Sequence, residues 1–161
     1  AGLQNHPEMS HIIARHGAGV VVMHMQGVPE TMQDNPQYGD VVEDVLEFLR
    51  LSVETAGSAG IASRSIAVDP GIGFGKTLEH NLKLIGSLRR FKVLGKPVLI
   101  GVSRKSFIGR ILDLDAEERL EGSLAAGVAG VINGADILRV HDVRATVRAV
   151  RIAHAIREAG G

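Results

Sequence analysis

The sequence predicts an α/β fold built on a parallel sheet, and three observations carry that prediction. One pattern recurs four times along the 161 residues: a short run of β-branched and apolar residues, a polar or glycine-bearing loop, then helical periodicity. The four runs, residues 19–25, 65–69, 97–102 and 136–140, each hold consecutive apolar residues rather than a strict alternation, as strands buried on both faces should. Polar and charged residues cluster just after each run, where α/β folds place their ligands.

The elements follow in order. A helix over residues 6–16 precedes the first strand. Val41, Val42, Val45, Leu46, Leu49 and Val53 form an apolar stripe that ends before Gly57, and Leu78, Leu82, Ile85 and Leu88 form the next. Leu120, Leu124 and Val128 continue the series, and Val143, Val147, Val150 and Ile156 close it. The reading is one helix followed by four βα units. Two closures satisfy it: a small open doubly wound sheet, or half of an eight-stranded barrel, whose usual length is about 250 residues.

Composition narrows the function classes. With 45% hydrophobic residues and no Pro/Gly/Ser linker, residues 1–161 are expected to form a single domain around one core. Eighteen basic and eighteen acidic side chains balance, so no global field draws nucleic acid or an anionic membrane, and an anion site has to be local. The absence of cysteine excludes disulfides, thiolate metal sites and a thiol nucleophile. With no signal peptide or long apolar span, the expected location is the cytoplasm, and neither a nucleic-acid nor a membrane partner is expected. The lack of tryptophan argues against a base-stacking platform.

The densest chemistry lies in DPGIGFGKT, residues 69–77. A strand tip ends on Asp69, and glycines at 71, 73 and 75 allow close backbone approach or positive φ. Asp69 alone reads equally well as a turn former capping local amides. The other strand ends read MHMQG from Met23, GVSRKS from Gly101 and RVHD from Arg139. Arg104 and Lys105 taken alone read as an exposed loop pair. His24, between two methionines, reads as a packed, hydrogen-bonded histidine rather than a ligand. Arg139 and His141 are two residues apart and are expected on one side of a strand, as an anion clamp. His6, His11, His16, His80 and His154 read as surface residues without metal-ligand partners. Helix starts at Gly75-Lys76-Thr77 and at residues 103–106 are both expected to attract anions. The spacing of glycines before Lys76 fails the GxxxxGK[ST] phosphate loop, so nucleotide hydrolysis by that route is not expected.

Together MHMQGVPETMQ, DPGIGFGKT, GVSRKSFIG, EERLEGSLAA and ILRVHDV, in this order and at these separations, resemble the dihydropteroate synthase family across essentially the whole chain. DPG with a glycine-rich sequel is shared with other pterin-binding barrels, such as methyltetrahydrofolate methyltransferases, whereas SRKS and RVHD single out the synthases. The resemblance implies a (β/α)8 TIM barrel of which this chain supplies about the last four βα units. It implies a transferase of folate biosynthesis that condenses 6-hydroxymethyl-7,8-dihydropterin pyrophosphate with p-aminobenzoate, with Mg²⁺ as cofactor and a homodimer as the full-length state. Position by position, Asp69 would accept hydrogen bonds from the pterin edge, while Met23, Phe74 and Gly101 would line its slot. Lys105 would contact the pterin beside the benzoate site, Ser106 would face the benzoate carboxylate, and Arg139 and His141 would grip the pyrophosphate. Lys105, Arg139 and His141 are thus the expected catalytic residues. No metal ligand is expected on this chain, because the family's asparagine ligand matches nothing after Ala1, and the chain alone is expected to be incomplete as an enzyme. The competing readings are a non-catalytic pterin- or phosphate-binding half-barrel and a methyltransferase domain of the broader pterin-binding class.

Overall fold

The protein is described here by a computed structural model covering Leu3 and residues 7–160. Among the described residues six α-helices and four parallel strands follow one another in an α/β arrangement much as the periodicity predicts, with two helices between the last two strands. The first helix is α1, Pro7–Arg15; His6 lies outside the described residues. The strands are β1 (Val20–Met23), β2 (Ile66–Asp69), β3 (Leu99–Ile100) and β4 (Ile137–Leu138).

β1 and β2 pair in parallel from Val20↔Ile66 to Met23↔Asp69, and β3 and β4 from Leu99↔Ile137 to Ile100↔Leu138. A single bridge, Val68↔Val98, joins the two pairs, with the Val68 amide donating to the Pro97 carbonyl at 2.9 Å. The strand order is therefore the chain order. β3 and β4 are shorter than the apolar runs suggest. Pro97 has no N–H to give. The Val98 amide is taken by the Asp136 carboxylate at 2.8 Å, and beyond the Arg139 amide, which still donates to the Ile100 carbonyl at 2.9 Å, the chain turns away.

All four residues of β2 are buried, as a central strand in a parallel sheet should be. The outer strands differ: Val21 of β1 is 46% exposed and Ile137 of β4 is 40% exposed. Two sheet edges thus stand without a neighbour among the described residues.

α2 (Val41–Ser58) starts where the Asp40 carboxylate accepts from the Val42 and Glu43 amides, at 2.8 and 3.4 Å, and buries Val41, Val42, Val45, Leu49, Ser52 and Ala56. α3 (Leu78–Gly86) buries Asn81, Leu84 and Ile85 rather than Leu82, so its inward face is rotated by about one residue from the predicted stripe. Leu88 belongs to the 3₁₀ segment Leu88–Leu94 and, with Phe91, is fully buried. α4 (Ser106–Leu112) and α5 (Leu120–Ile132) follow. α5 approaches β3 so closely that a Cβ on Gly130 would lie 2.3 Å from the Ile100 Cδ1. α6 (Val143–Ala159) departs from expectation: only Thr146 is buried, and Val143, Val147 and Ile156 of its apolar stripe are exposed. No helix of the described residues is long and apolar enough to cross a membrane.

The core sits under the sheet's middle, where Val22, Ile66, Val68, Val98, Ile100 and Val102 meet Val45 and Leu49 of α2, Leu84 of α3, and Phe91. Because four parallel strands end on the same side of this core, the loops after them share one rim.

A candidate site at the strand ends

Asp69 is the last residue of β2 and is 3% exposed. Its Oδ1 accepts from the Gly71 amide at 2.8 Å, so the turn-former reading holds, yet the carboxylate also feels three cations: Lys105, Arg139 and Lys76. Burial pushes its pKa up; the Gly71 N–H and those cations pull the other way.

The turn of DPG passes directly over β1. The His24 amide donates to the Asp69 carbonyl at 3.0 Å, and a Cβ on Gly71, whose φ is +71°, would lie 1.8 Å from the His24 carbonyl oxygen. Gly73 presents its amide to the Asn81 Oδ1 at 2.7 Å and its carbonyl to the Gln33 Nε2 at 2.6 Å. Tyr38 Oη donates to the Gly75 carbonyl at 2.7 Å. The glycine loop is thus held from α3, from the loop after β1 and from the segment before α2.

Lys105 precedes α4 and reaches back across the rim. Its ammonium lies 4.5 Å from the Phe74 ring centroid and donates to the Ile72 carbonyl. Burial lowers its pKa to about 8, against the pull of Asp69. Lys105 is therefore not the exposed loop cation its neighbours suggest, and neither is Arg104. Arg104 has φ +57°, a strained conformation for a residue with a side chain. Its guanidinium forms a two-point clamp on Asp142 at 3.1 and 2.9 Å, its amide donates to Ser123 Oγ at 2.8 Å, and Arg119 donates to its carbonyl at 3.1 Å. Held this way, the loop directs Lys105 inward and leaves Ser106, the first residue of α4, exposed at the rim.

Arg139 and His141 come beyond the β4 ladder. Arg139 lies across Gly101, where a Cβ would be 3.1 Å from its Nη2 and 3.2 Å from its Nε. His141 rests on Ser103, with Nδ1 3.0 Å from Oγ and its amide donating to the same oxygen at 3.3 Å. Both lean on the segment after β3, two residues apart on each side. Met23, half-buried, pairs with Asp69 in the β1–β2 register. The expected residues Met23, Asp69, Phe74, Gly101, Lys105, Ser106, Arg139 and His141 all lie on or beside this rim.

Two expectations fail. The start of α3 is closed to anions: Thr77 Oγ1 accepts from the His80 amide at 3.2 Å while His80 Nδ1 accepts from the Thr77 amide at 3.3 Å. Lys76 is 3% exposed and turns inward. His80 is accordingly a half-buried capping residue, its ring 4.9 Å from that of Tyr38, and not a free surface histidine. His24 is packed as predicted, 4.9 Å from the Phe48 ring, with Nδ1 2.9 Å from the Lys76 ammonium.

Burial, then the neighbouring Lys76 charge, lowers the His24 pKa from 6.5 to about 3, so the ring is neutral in the fold. As pH falls below the ordinary histidine value, the unfolded chain takes up a proton that the folded one refuses. This contribution to stability is fully present above pH 6.5 and is lost as pH falls toward 3. The expected result is that the stability difference between the native protein and a His24→Gln variant shrinks by about 2–3 kcal/mol between pH 7 and about pH 4.5. Denaturant titrations at both pH values measure it; an unchanged difference would remove the neutral buried histidine.

Asn81 escaped the sequence reading, although a signal exists. Shifting the α3 stripe by one residue puts 81, 84, 85 and 88 on the inner face and leaves a polar amide among leucines. Ser103, Ser123 and Asp142 carry no comparable mark, because their roles depend on loops meeting in space.

A cleft of about 590 Å³ beside α2 is lined by Glu43, Arg50 and Glu54 among others, but Arg50 is already paired with Glu47 and Glu54, so no free group converges there. Among the described residues no three His, Asp or Glu side chains are grouped to hold a metal ion. The surroundings of Asp69 are cationic and suit an anion or an N–H-bearing heterocycle better than a divalent cation.

The family model described as pterin binding enzyme matches residues 1–141. The dihydropteroate synthase of Escherichia coli strain K12 is 46% identical over 142 residues, covering 88% of this chain and 50% of the relative. A solved Yersinia pestis dihydropteroate synthase in a sulfonamide drug complex superposes with a TM-score of 0.92 at 41% identity, covering 96% of this chain and 56% of that one. A Thermus thermophilus dihydropteroate synthase in complex with 4-aminobenzoate gives 0.87 at 44% identity, covering 92% and 61%. The chain spans about half the length of the curated relatives it matches. With a family match over seven-eighths of its length and a glycine loop, buried acid and cationic rim at the strand ends, the chain belongs to the pterin binding enzymes.

Proposed function

We propose that this chain is a single domain forming the C-terminal half of a (β/α)8 barrel, and that the complete protein carrying it condenses 6-hydroxymethyl-7,8-dihydropterin pyrophosphate with p-aminobenzoate to give 7,8-dihydropteroate and pyrophosphate. Chain-ordered parallel strands with two uncovered edges support the half-barrel reading. The observation that carries the reaction is the buried Asp69 carboxylate facing Lys105 and Arg139, with Phe74 beneath the Lys105 ammonium. A carboxylate walled from water suits parallel N–H donors on a flat heterocycle, and the glycine loop lets the ring approach the backbone.

In this reading Asp69 holds the pterin edge while Met23, Phe74 and Gly101 line its slot. Arg139 and His141 bind the pyrophosphate and stabilise the charge it gains as its bond to the pterin methylene breaks. The p-aminobenzoate nitrogen forms the new bond and then gives up a proton, so no protein nucleophile is required. Ser106, exposed at the start of α4, faces the benzoate carboxylate, and Lys105 contacts the pterin beside the benzoate site. The cations around Asp69 do not fit the magnesium ion that the resemblance implies. The resemblance also supports a cytoplasmic homodimer.

The test is pyrophosphate release by the complete polypeptide, dependent on p-aminobenzoate. Lys105→Ala should lower kcat/KM by about 10²-fold without loss of helical circular dichroism. Pterin binding without turnover in the complete protein would favour the non-catalytic reading, and methyl transfer from a reduced folate would favour the methyltransferase one.

A further inference from the structure

The mechanism leaves one buried charge at the rim unused. Lys76 is 3% exposed; its ammonium lies 2.9 Å from His24 Nδ1 and donates to the Phe74 carbonyl at 3.0 Å. A Cβ on Gly71 would be 3.5 Å from the same nitrogen. The ammonium therefore sits beneath the glycine loop, between the end of β1 and the turn that carries Asp69. Burial lowers the Lys76 pKa to about 7 while Asp69 pulls the other way, so the ammonium is costly to keep and an apolar side chain would pack more cheaply, unless the charge itself is needed. The surrounding groups indicate what it serves. His24 is neutral and accepts, the Tyr38 ring centroid is 6.0 Å away, Lys105 repels, and the one opposite charge acting on it is Asp69.

We propose that Lys76 is a positioning residue acting through Asp69: tied to His24 and to the loop carbonyl, its ammonium braces the glycine loop from below and keeps the Asp69 carboxylate charged and aimed at the N–H donors of the heterocycle. The inference rests on the pterin reading given above. It also gives the lysine of GFGKT a task other than phosphate binding.

The experiment is a double-mutant cycle in the complete polypeptide, with kcat and both KM values measured for the native protein, Lys76→Met, Asp69→Asn and the double variant. Lys76→Met should raise KM for the pterin substrate at least about tenfold, leave KM for p-aminobenzoate within about twofold, and add less than about threefold in the Asp69→Asn background. Multiplicative effects, or losses shared equally by both substrates, would overturn the proposal, since a merely structural lysine would give them. If Lys76→Met does not fold by circular dichroism, Lys76→Gln decides. It keeps hydrogen-bonding capacity without charge, and an unchanged pterin KM there sinks the idea. Should Asp69→Asn itself leave the pterin KM unchanged, the pterin reading fails and not this inference alone.

Discussion

Gly71→Ala is expected to cost at least about 4 kcal/mol of stability, a large share of the 5–15 kcal/mol available to a typical domain. Two separate terms add. The first is conformational: at φ +71° an L side chain pays about 1–2 kcal/mol. The second is steric and larger, because the new Cβ would stand 1.8 Å from the His24 carbonyl oxygen, which is backbone and cannot rotate away. Either β1 or the loop has to shift, and the loop carries the amide that bonds Asp69. Gly95→Ala isolates the first term, since Gly95 has φ +62° and nothing within 4 Å of the added carbon. Denaturant unfolding should show a loss of about 1–2 kcal/mol for Gly95→Ala and at least twice that for Gly71→Ala. Equal losses would mean that the close crossing of loop and strand is absent.

Arg139→Ala is expected to lower kcat/KM in the complete polypeptide by about 10²–10³-fold, the usual effect of removing one preorganised donor from a developing anion. The fold should be unaffected, because Arg139 is exposed and its side chain lies on a glycine, supporting nothing in the core. Arg139→Lys should recover only part of the loss: a point charge replaces the planar fork that fits across Gly101 and presents several donors at once. Activity within fivefold of the native protein for Arg139→Ala, with unchanged circular dichroism, would remove Arg139 from the machinery.

Much of this was legible in the chain because the signals are local. Apolar runs located β1 and β2 to within a residue or two, and the spacing of glycines around Phe74 can be read directly against the phosphate-loop pattern, which it does not match. Legibility failed where the deciding partner is distant in sequence. The length of β3 was decided by Asp136 taking the Val98 amide from 38 residues away. The fate of Lys76 depended on His24, 52 residues earlier, and the fate of Arg104 on Asp142, 38 residues later. α6 shows the opposite limit. Its stripe is real, but periodicity states only that a face is apolar, not that anything in this chain covers it.

The chain-ordered sheet bears on how the molecule comes to exist. Among the described residues each strand pairs only with its neighbours in chain order, and successive strands begin about forty residues apart. At 5–20 residues per second, synthesis takes roughly 2–8 s to deliver each further unit, far longer than the microseconds to milliseconds in which helices form and local pairs close. Every βα unit therefore has time to dock before the next emerges, and the free edge that remains after each docking is the growing point for its successor. An edge that is a liability in the finished sheet is, during synthesis, the template that sets its direction.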